Sequence, residues 1–165
     1  MVAIANKAPA GIPGAITRPD VTVVECAFVN PARPPTAYGV PVKMVDGKLE
    51  PWAVGDTGDK LYGVLARVAP SIAGDTGQAL ADGTPNPEQA QSVVVKGYVN
   101  VRCTTGGQPV RGTQVFIRMN DAGEGESNKP GAWSAKKSSN NFTGVSAIWS
   151  SDGKDGELIT ELRLR

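Results

Sequence analysis

Four short apolar segments, each entered from a turn rich in Gly or Asp, limit this chain to a fold made of β-strands. They occupy residues 55–71, 92–103, 111–119 and 156–165. Apolar and polar residues alternate in most of them, as in strands with one buried face. The run of three valines at residues 93–95 is typical of a strand buried on both faces. Further strand patterns occur at residues 21–29, 38–45, 48–52 and 143–149.

Glycine and proline interrupt the chain throughout. Together, 20 Gly and 13 Pro make up a fifth of its 165 residues, a share that is usual for many short strands joined by turns. Asp46-Gly47 joins two apolar runs and is a strong hairpin signal, because both turn positions take positive φ. Pro41 and Pro51 place this hairpin at a sheet edge, since proline cannot donate to a strand ladder.

Residues 1–20 are predicted to form an extended N-terminal arm, and residues 21–165 a single β domain. Pro9, Pro13 and Pro19 exclude a helix from the arm. The segment is either a disordered terminus or an arm that becomes ordered against a neighbouring protein. Its isoleucines exceed what solubility requires, which favours the second interpretation in an assembled state.

Two long polar segments and two cysteines give further expectations. Residues 71–91 and 121–141 are predicted to be surface loops. Cys26 and Cys103 lie in predicted strands, where we expect two small buried apolar side chains. A disulfide between them would imply an oxidising compartment, for which nothing else in the sequence argues.

The sequence does not favour an enzyme. It contains no histidine, which excludes Ser-His-Asp and Cys-His catalysis and the common zinc sites. Asp56 and Asp59 could act as acid and base, but aspartate is also a usual turn residue. Residues 152–157 could bind Ca²⁺, although their spacing does not match an EF-hand and a hairpin turn is the simpler interpretation. We therefore expect no catalytic residues, no metal and no cofactor.

Charge and hydropathy limit the partners. Seventeen basic and 16 acidic residues give a net charge of +1, without the basic stripe of a nucleic-acid groove. No apolar run approaches the roughly 20 residues that span a bilayer. We expect binding to neither nucleic acid nor membrane.

The order of the strand motifs resembles the cement, or head decoration, proteins of tailed bacteriophages. The shared pattern covers residues 39–165: a Gly-Asp turn, YGVL followed by Arg, a GTP loop, a strand that contains the pattern V-x-x-x-GY, a VFIR strand and a final strand after an Asp-Gly turn. Each motif alone is weak, and their fixed order is more specific. The resemblance implies an all-β fold, a compact antiparallel sandwich or jelly-roll-like barrel, with an extended N-terminal arm.

The resemblance also implies a structural role. The protein would be made in the bacterial cytoplasm, bind the major capsid protein on the outer surface of an expanded shell, bridge neighbouring capsomers, and act as a dimer or trimer. At the matched positions we expect core residues of the fold, namely Tyr62, Gly63, Leu65, Gly97 and Tyr98. The candidate capsid contacts lie in the arm, which the resemblance does not cover. They are Ile4, Lys7, Ile12, Ile16 and Arg18.

Two other classes of virion protein share this composition. The aromatic residues, Trp133 among them, are expected in the core or in an interface. An exposed Trp133 would instead support a carbohydrate- or host-binding β-module displayed on the virion. A small tail or adaptor protein would occur at one vertex rather than over the shell. Residues 120–141 form a longer insert than the resemblance implies and have no assigned role.

Overall fold

The computed structural model describes residues 11–67, 84–153 and 159–165, apart from the side chain of Glu126. These ranges contain nine strands and three short 3₁₀ turns, and no α-helix. The strands are β1 (Val23–Phe28), β2 (Pro41–Val45), β3 (Lys48–Pro51), β4 (Gly63–Leu65), β5 (Ala90–Thr105), β6 (Gln114–Arg118), β7 (Trp133–Ser134), β8 (Phe142–Trp149) and β9 (Ile159–Leu164). The 3₁₀ turns are Pro19–Val21, Gly58–Lys60 and Glu126–Asn128.

Strand β5 is the longest strand and belongs to two sheets. Its first half pairs with β1 and β4, and its second half pairs with β9 and β7. The change of partners occurs at Gly97, which has a φ of +112°. A Cβ atom there would lie 2.5 Å from the hydroxyl oxygen of Thr22. Glycine is therefore required where the chain leading into β1 approaches β5.

The second half of β5 closes a barrel. Its strands follow the order β5-β7-β6-β8-β9, and β9 returns to β5. The pairs are antiparallel except β5 with β7, where Cys103 lies beside Trp133 in a parallel pair. The first half of β5 lies in an open sheet of order β3-β2-β4-β5-β1. The predicted all-β fold is confirmed as a compact barrel with extra strands.

Two apolar clusters fill the fold. The larger lies mainly in the barrel, around Trp149 and Leu162, neither of which has exposed surface. The smaller lies in the open sheet and consists of Val29, Val42, Leu49, Leu65 and Val93. In β9, alternate residues are buried, as the sequence pattern predicts for a half-buried strand.

The Asp46-Gly47 hairpin is also confirmed. Both residues have positive φ, +48° and +75°, and they join β2 to β3, which is the outer strand of the open sheet. Strand β7 was not predicted, because two residues within a polar segment carry no alternating pattern.

The burial prediction is correct for Cys103 and wrong for Cys26. Both thiols are free, but Cys26 is exposed and Cys103 is buried. Burial raises the pKa of Cys103 to about 11. Cys26 is exposed because β1 contributes no buried residue to either core cluster, although its composition is that of a buried strand.

Candidate functional site

The described part of the N-terminal arm lies along β5. The Gly14 N–H donates to the Asn100 carbonyl (2.8 Å), and the Asn100 N–H donates to the Ala15 carbonyl (2.9 Å). Ile16 forms an antiparallel bridge with Val99 and packs against the barrel core. This segment occupies the part of β5 between the end of the β1 pairing and the start of the β7 pairing. It therefore covers backbone that would otherwise be a free edge.

A tight turn at Pro13-Gly14 precedes this contact. The Ala15 N–H donates to the Ile12 carbonyl (3.0 Å), and Gly14 has a φ of +82°. Proline followed by a glycine with positive φ is typical of a type II turn. A Cβ atom on Gly14 would lie 3.0 Å from the Gly39 nitrogen, so the turn fits closely against the loop before β2.

Arg18 ends the docked segment and pairs with Glu161 of β9. Its Nη2 lies 3.1 Å from the Glu161 Oε2, and its guanidinium lies over the Tyr98 ring, 4.1 Å from the centroid. Burial alone would raise the pKa of Glu161, but hydrogen bonds from Ser150 and Thr17 and the charge of Arg18 lower it. Glu161 is therefore an anion at neutral pH and fixes this end of the arm.

Three of the five candidate capsid contacts fall within the described residues. Ile12 and Ile16 are half-buried against the domain, and Arg18 is exposed beside its ion-pair partner. Ile4 and Lys7 lie outside the described residues.

The five residues of the matched motif surround the junction of β4 and β5. Gly63, Leu65 and Gly97 are buried, and Tyr62 and Tyr98 are half-buried. A Cβ atom on Gly63 would lie 2.5 Å from the Val94 carbonyl oxygen, so the two strands approach closely there. The Tyr62 hydroxyl donates to the Glu25 carboxylate of β1, and this hydrogen bond raises the pKa of Tyr62.

Strand β1 exposes apolar side chains on both of its faces. Six large apolar residues are exposed in the described part of the chain, and four of them lie on β1 or shortly before it. These four, which we call the β1 surface, are Val21 (54% exposed), Val23 (48%), Val24 (39%) and Phe28 (65%). Exposed apolar side chains that gather on one strand are a candidate for a protein interaction site. The sequence predicted the strand but not its exposure, since the same residue types occur in buried strands.

The two candidate acid–base residues have structural partners. Asp56 lies 2.7 Å from the Lys43 Nζ and 3.1 Å from the Lys60 Nζ, and it accepts a hydrogen bond from the Ala53 N–H. Burial alone would raise the pKa of Asp56, but these hydrogen bonds lower it. Asp59 is exposed, and the pKa of its carboxyl is also lowered, first by a hydrogen bond from a threonine hydroxyl. Both groups are stabilised as anions, which suits a turn better than proton transfer.

The candidate calcium segment is described only in part. Asp152 accepts a hydrogen bond from the Arg111 N–H (2.8 Å), whereas Asp155 and Glu157 lie outside the described residues. Across 11–67, 84–153 and 159–165, no group of three or more Cys, Asp or Glu side chains could hold a metal ion. In the same ranges, no helix has the length and apolar character needed to cross a membrane.

A groove of about 440 Å³ lies between the loop before β2 and the segment leading into β7. Trp52 and Trp133 contribute to its wall but are only 5% and 2% exposed. The Trp133 Nε1–H donates to the Gly39 carbonyl (2.7 Å), so this ring belongs to the core. A sugar platform needs exposed ring faces. The exposed Trp133 that would support a carbohydrate-binding module is therefore not observed.

The family profile of the XM1 gp53 minor capsid protein matches residues 1–164 of the chain. The chain belongs to this family. It is therefore a structural protein of a bacteriophage capsid, it is located in the virion, and it associates with the shell. No curated protein sequence matches it.

A solved structure shows the same fold. A chain from "The capsid of Myoviridae Phage XM1" matches this minor capsid protein with a TM-score of 0.71 and 14% sequence identity. The match covers 99% of this chain and 95% of the other. At 14% identity, this match shows that the two chains share a fold and nothing further.

The interaction features of this minor capsid protein follow one another in the chain. The docked segment leads through the 3₁₀ turn Pro19–Val21 into β1, and all three lie along β5. The sequence predicted residues 1–20 as an arm outside the β domain, whereas the part that the structure describes, from residue 11, lies along β5. The candidate site is thus residues 11–28, one continuous N-terminal region.

Proposed function

We propose that this minor capsid protein is a cement protein, which binds the outer surface of the expanded shell and bridges neighbouring capsomers through its N-terminal arm. The observation that carries the proposal is the docked base of the arm. It continues the β5 ladder and ends in the Arg18–Glu161 ion pair. The chain before Gly11 therefore starts from a defined position on the domain.

A fixed starting point makes a two-point clamp effective. When the domain contacts one capsomer, the tethered arm meets the next capsomer at a high effective concentration. Modest contacts at each end then suffice, because they are repeated over the whole shell. Ten residues span at most roughly 33–36 Å when fully extended, which sets the largest gap that residues 1–10 could bridge.

The arm residues take different parts in this proposal. Ile4 and Lys7 precede the docked base and contact the major capsid protein. Ile12 and Ile16 use their half-buried side chains to hold the base and their remaining surface to contact the shell. Arg18, with 47% of its side chain exposed, contributes a cation at the boundary between domain and shell.

The role requires neither catalysis nor nucleic acid. Asp56 and Asp59 favour their charged forms, so neither is set up as a general acid. A dimer or trimer suits the role, since a cyclic oligomer can sit on a symmetry axis of the shell and present one arm to each neighbour.

Co-sedimentation with empty expanded shells of the same virus tests the proposal. We expect wild-type protein to pellet saturably, with a fixed stoichiometry per symmetry site. Deleting residues 1–10 should weaken binding by about 10²-fold or more, because the second contact of the clamp is lost. A chain with these ten residues replaced by a Gly-Ser segment of equal length is the matched control and should bind as weakly as the deletion.

The two parts of the proposal fail in different ways. A deletion variant with wild-type affinity would show that residues 1–10 do not contact the capsid and would contradict the two-point clamp. Wild-type protein that does not pellet, or that is found at a single vertex, would contradict the cement role and favour an adaptor.

A further inference from the structure

We propose that two copies of this protein pair through the free edge of β1, so that their open sheets join into one continuous sheet. This proposal deepens the self-association proposed above and names the surface responsible. It is tested on the free protein, so its failure would leave the shell-binding proposal standing.

The free edge of β1 has defined ends. One edge of the strand pairs with β5, and the register shifts between Val23 and Val24. At the other end, Val29 bridges Leu49 of β3. Among the described residues, no strand pairs with the second edge of β1 between these limits. Residues 24–28 therefore form a regular stretch of five residues that can accept another strand.

Between residues 24 and 28 this edge lacks the usual protection against pairing, since the register shift of β1 lies before Val24. Natural edge strands carry lysine, proline, bulges or inward-facing charges that prevent contact with other strands. The one charged residue between positions 24 and 28 is Glu25, and its carboxylate already accepts a hydrogen bond from Tyr62. The exposed Val24 and Phe28 stand near the two ends of the stretch. Such an edge is a template for strand addition.

The sequence of the edge fits a second copy of itself. Along two antiparallel strands, directly opposite residues form hydrogen-bonded and non-hydrogen-bonded pairs in alternation. The two-fold axis of a dimer must therefore pass through one of these pairs, so that one residue lies opposite its own copy. The midpoint of residues 24–28 is Cys26. With the axis there, Glu25 faces Ala27 of the partner subunit, whereas an axis through Glu25 would set two carboxylates opposite each other.

This register also pairs apolar residues. Val24 faces Phe28 of the partner subunit, and the symmetry repeats the contact, giving two pairs of a β-branched and an aromatic side chain. Because the same surface is used by both copies, the pair closes and leaves neither edge free. A closed pair therefore hides the exposed edge of the free protein without forming a fibre.

The exposed thiol gives a direct measure of the register. Opposite Cα atoms in an antiparallel pair are about 4.5–5.5 Å apart, within the roughly 4.4–6.8 Å of a disulfide. Oxidation of the wild-type protein with diamide should give a covalent dimer. The C26S variant should give none, and the C103S variant should behave as wild type because Cys103 is buried.

Charge exchange tests the same register without a disulfide. By light scattering, we expect wild-type protein to have twice the mass of one chain. The double variant V24K/F28K places lysines opposite each other and should weaken the dimer by at least about tenfold. The variant V24K/F28E places each lysine opposite a glutamate and should recover dimer formation. Val110→Lys, at an exposed position far along the chain, is the control and should remain dimeric.

Several results would overturn the proposal. A wild-type monomer or trimer would contradict an isologous pair. Failure of V24K/F28E to recover association relative to V24K/F28K would exclude this register. If Cys26 stays open to thiol labelling in the free protein and becomes protected only when shells are added, the β1 edge belongs to a capsid contact instead.

Discussion

The two halves of β5 support regions with opposite properties. Its second half belongs to the closed barrel, where β9 buries three of its six residues. Its first half supports β1, in which no residue is buried. Barrel closure removes strand edges, whereas the open sheet leaves the outer edge of β1 without a partner strand among the described residues and several apolar side chains exposed. The comparison indicates that the barrel holds most of the buried core, while the contacts for assembly are proposed for the exposed N-terminal region.

The largest loss of stability is expected in the barrel core. Trp149→Ala should lower the free energy of unfolding by about 3–5 kcal/mol, because a fully buried aromatic side chain leaves a cavity. Urea denaturation measures this loss. Trp149→Phe is the matched control and should cost clearly less, since it leaves a smaller cavity and removes an indole N–H that has no partner among the described residues. Equal losses would argue against tight packing at this position.

A smaller loss is expected where β5 passes from one region to the other. Gly97→Ala should cost about 1–3 kcal/mol, because the residue has positive φ and its new Cβ would meet Thr22. Gly107 also has positive φ, but a Cβ atom added to it would meet no neighbouring atom within 4 Å, so Gly107→Ala isolates the backbone strain. Thermal denaturation of both variants separates the two effects. If the variants lose the same stability, the contact with Thr22 does not require glycine.

The Glu161 carboxylate, which Ser150, Thr17 and Arg18 stabilise, should make stability depend on pH. The pKa of Glu161 is lowered in the folded state from its ordinary value of 4.5. The contribution of the Glu161 carboxylate to the free energy of unfolding is therefore fully present above pH 4.5. It is lost as the pH falls through the folded-state pKa. Glu161→Gln should cost about 1–2 kcal/mol at pH 7, and the difference from wild type should shrink in more acidic urea titrations. A difference that is constant with pH would exclude the charge as its cause.

The smallest effect is expected on the β1 surface. Val21→Lys should change the free energy of unfolding by less than about 0.5 kcal/mol, because the side chain is 54% exposed and lies outside both core clusters. Val115→Lys, at a fully buried β6 position, is the contrasting variant and should prevent stable folding. A large loss for Val21→Lys would mean that the β1 surface supports the fold itself.

Local signals predicted much of the fold. The Asp46-Gly47 turn needs positive φ at two adjacent positions, and alternation in β9 reflects its own two faces. These properties depend on neighbours in the sequence, so the sequence displays them. Barrel closure depends on β9 returning to β5 over some sixty positions, and the short strand β7 depends on pairing with β5 and β6 on its two sides. Neither has a local pattern.

The candidate site was less predictable for the same reason. The prolines and isoleucines of residues 1–20 predicted an extended arm, but the docking of its described part depends on Arg18 meeting Glu161, which lies 143 positions away. The exposure of Cys26 was missed, because β1 has the composition of a buried strand while only β5 covers one of its edges. Residue types identify a strand, but only its three-dimensional neighbours determine whether that strand is buried.

Heat disruption of empty expanded shells, with and without the protein, tests the cement role most directly. Light scattering would follow shell breakdown as temperature rises, with the protein added to saturation. The proposed role predicts that bound protein raises the breakdown temperature, and that the variant lacking residues 1–10 raises it much less. Saturating binding that leaves the breakdown temperature unchanged would contradict a cement role.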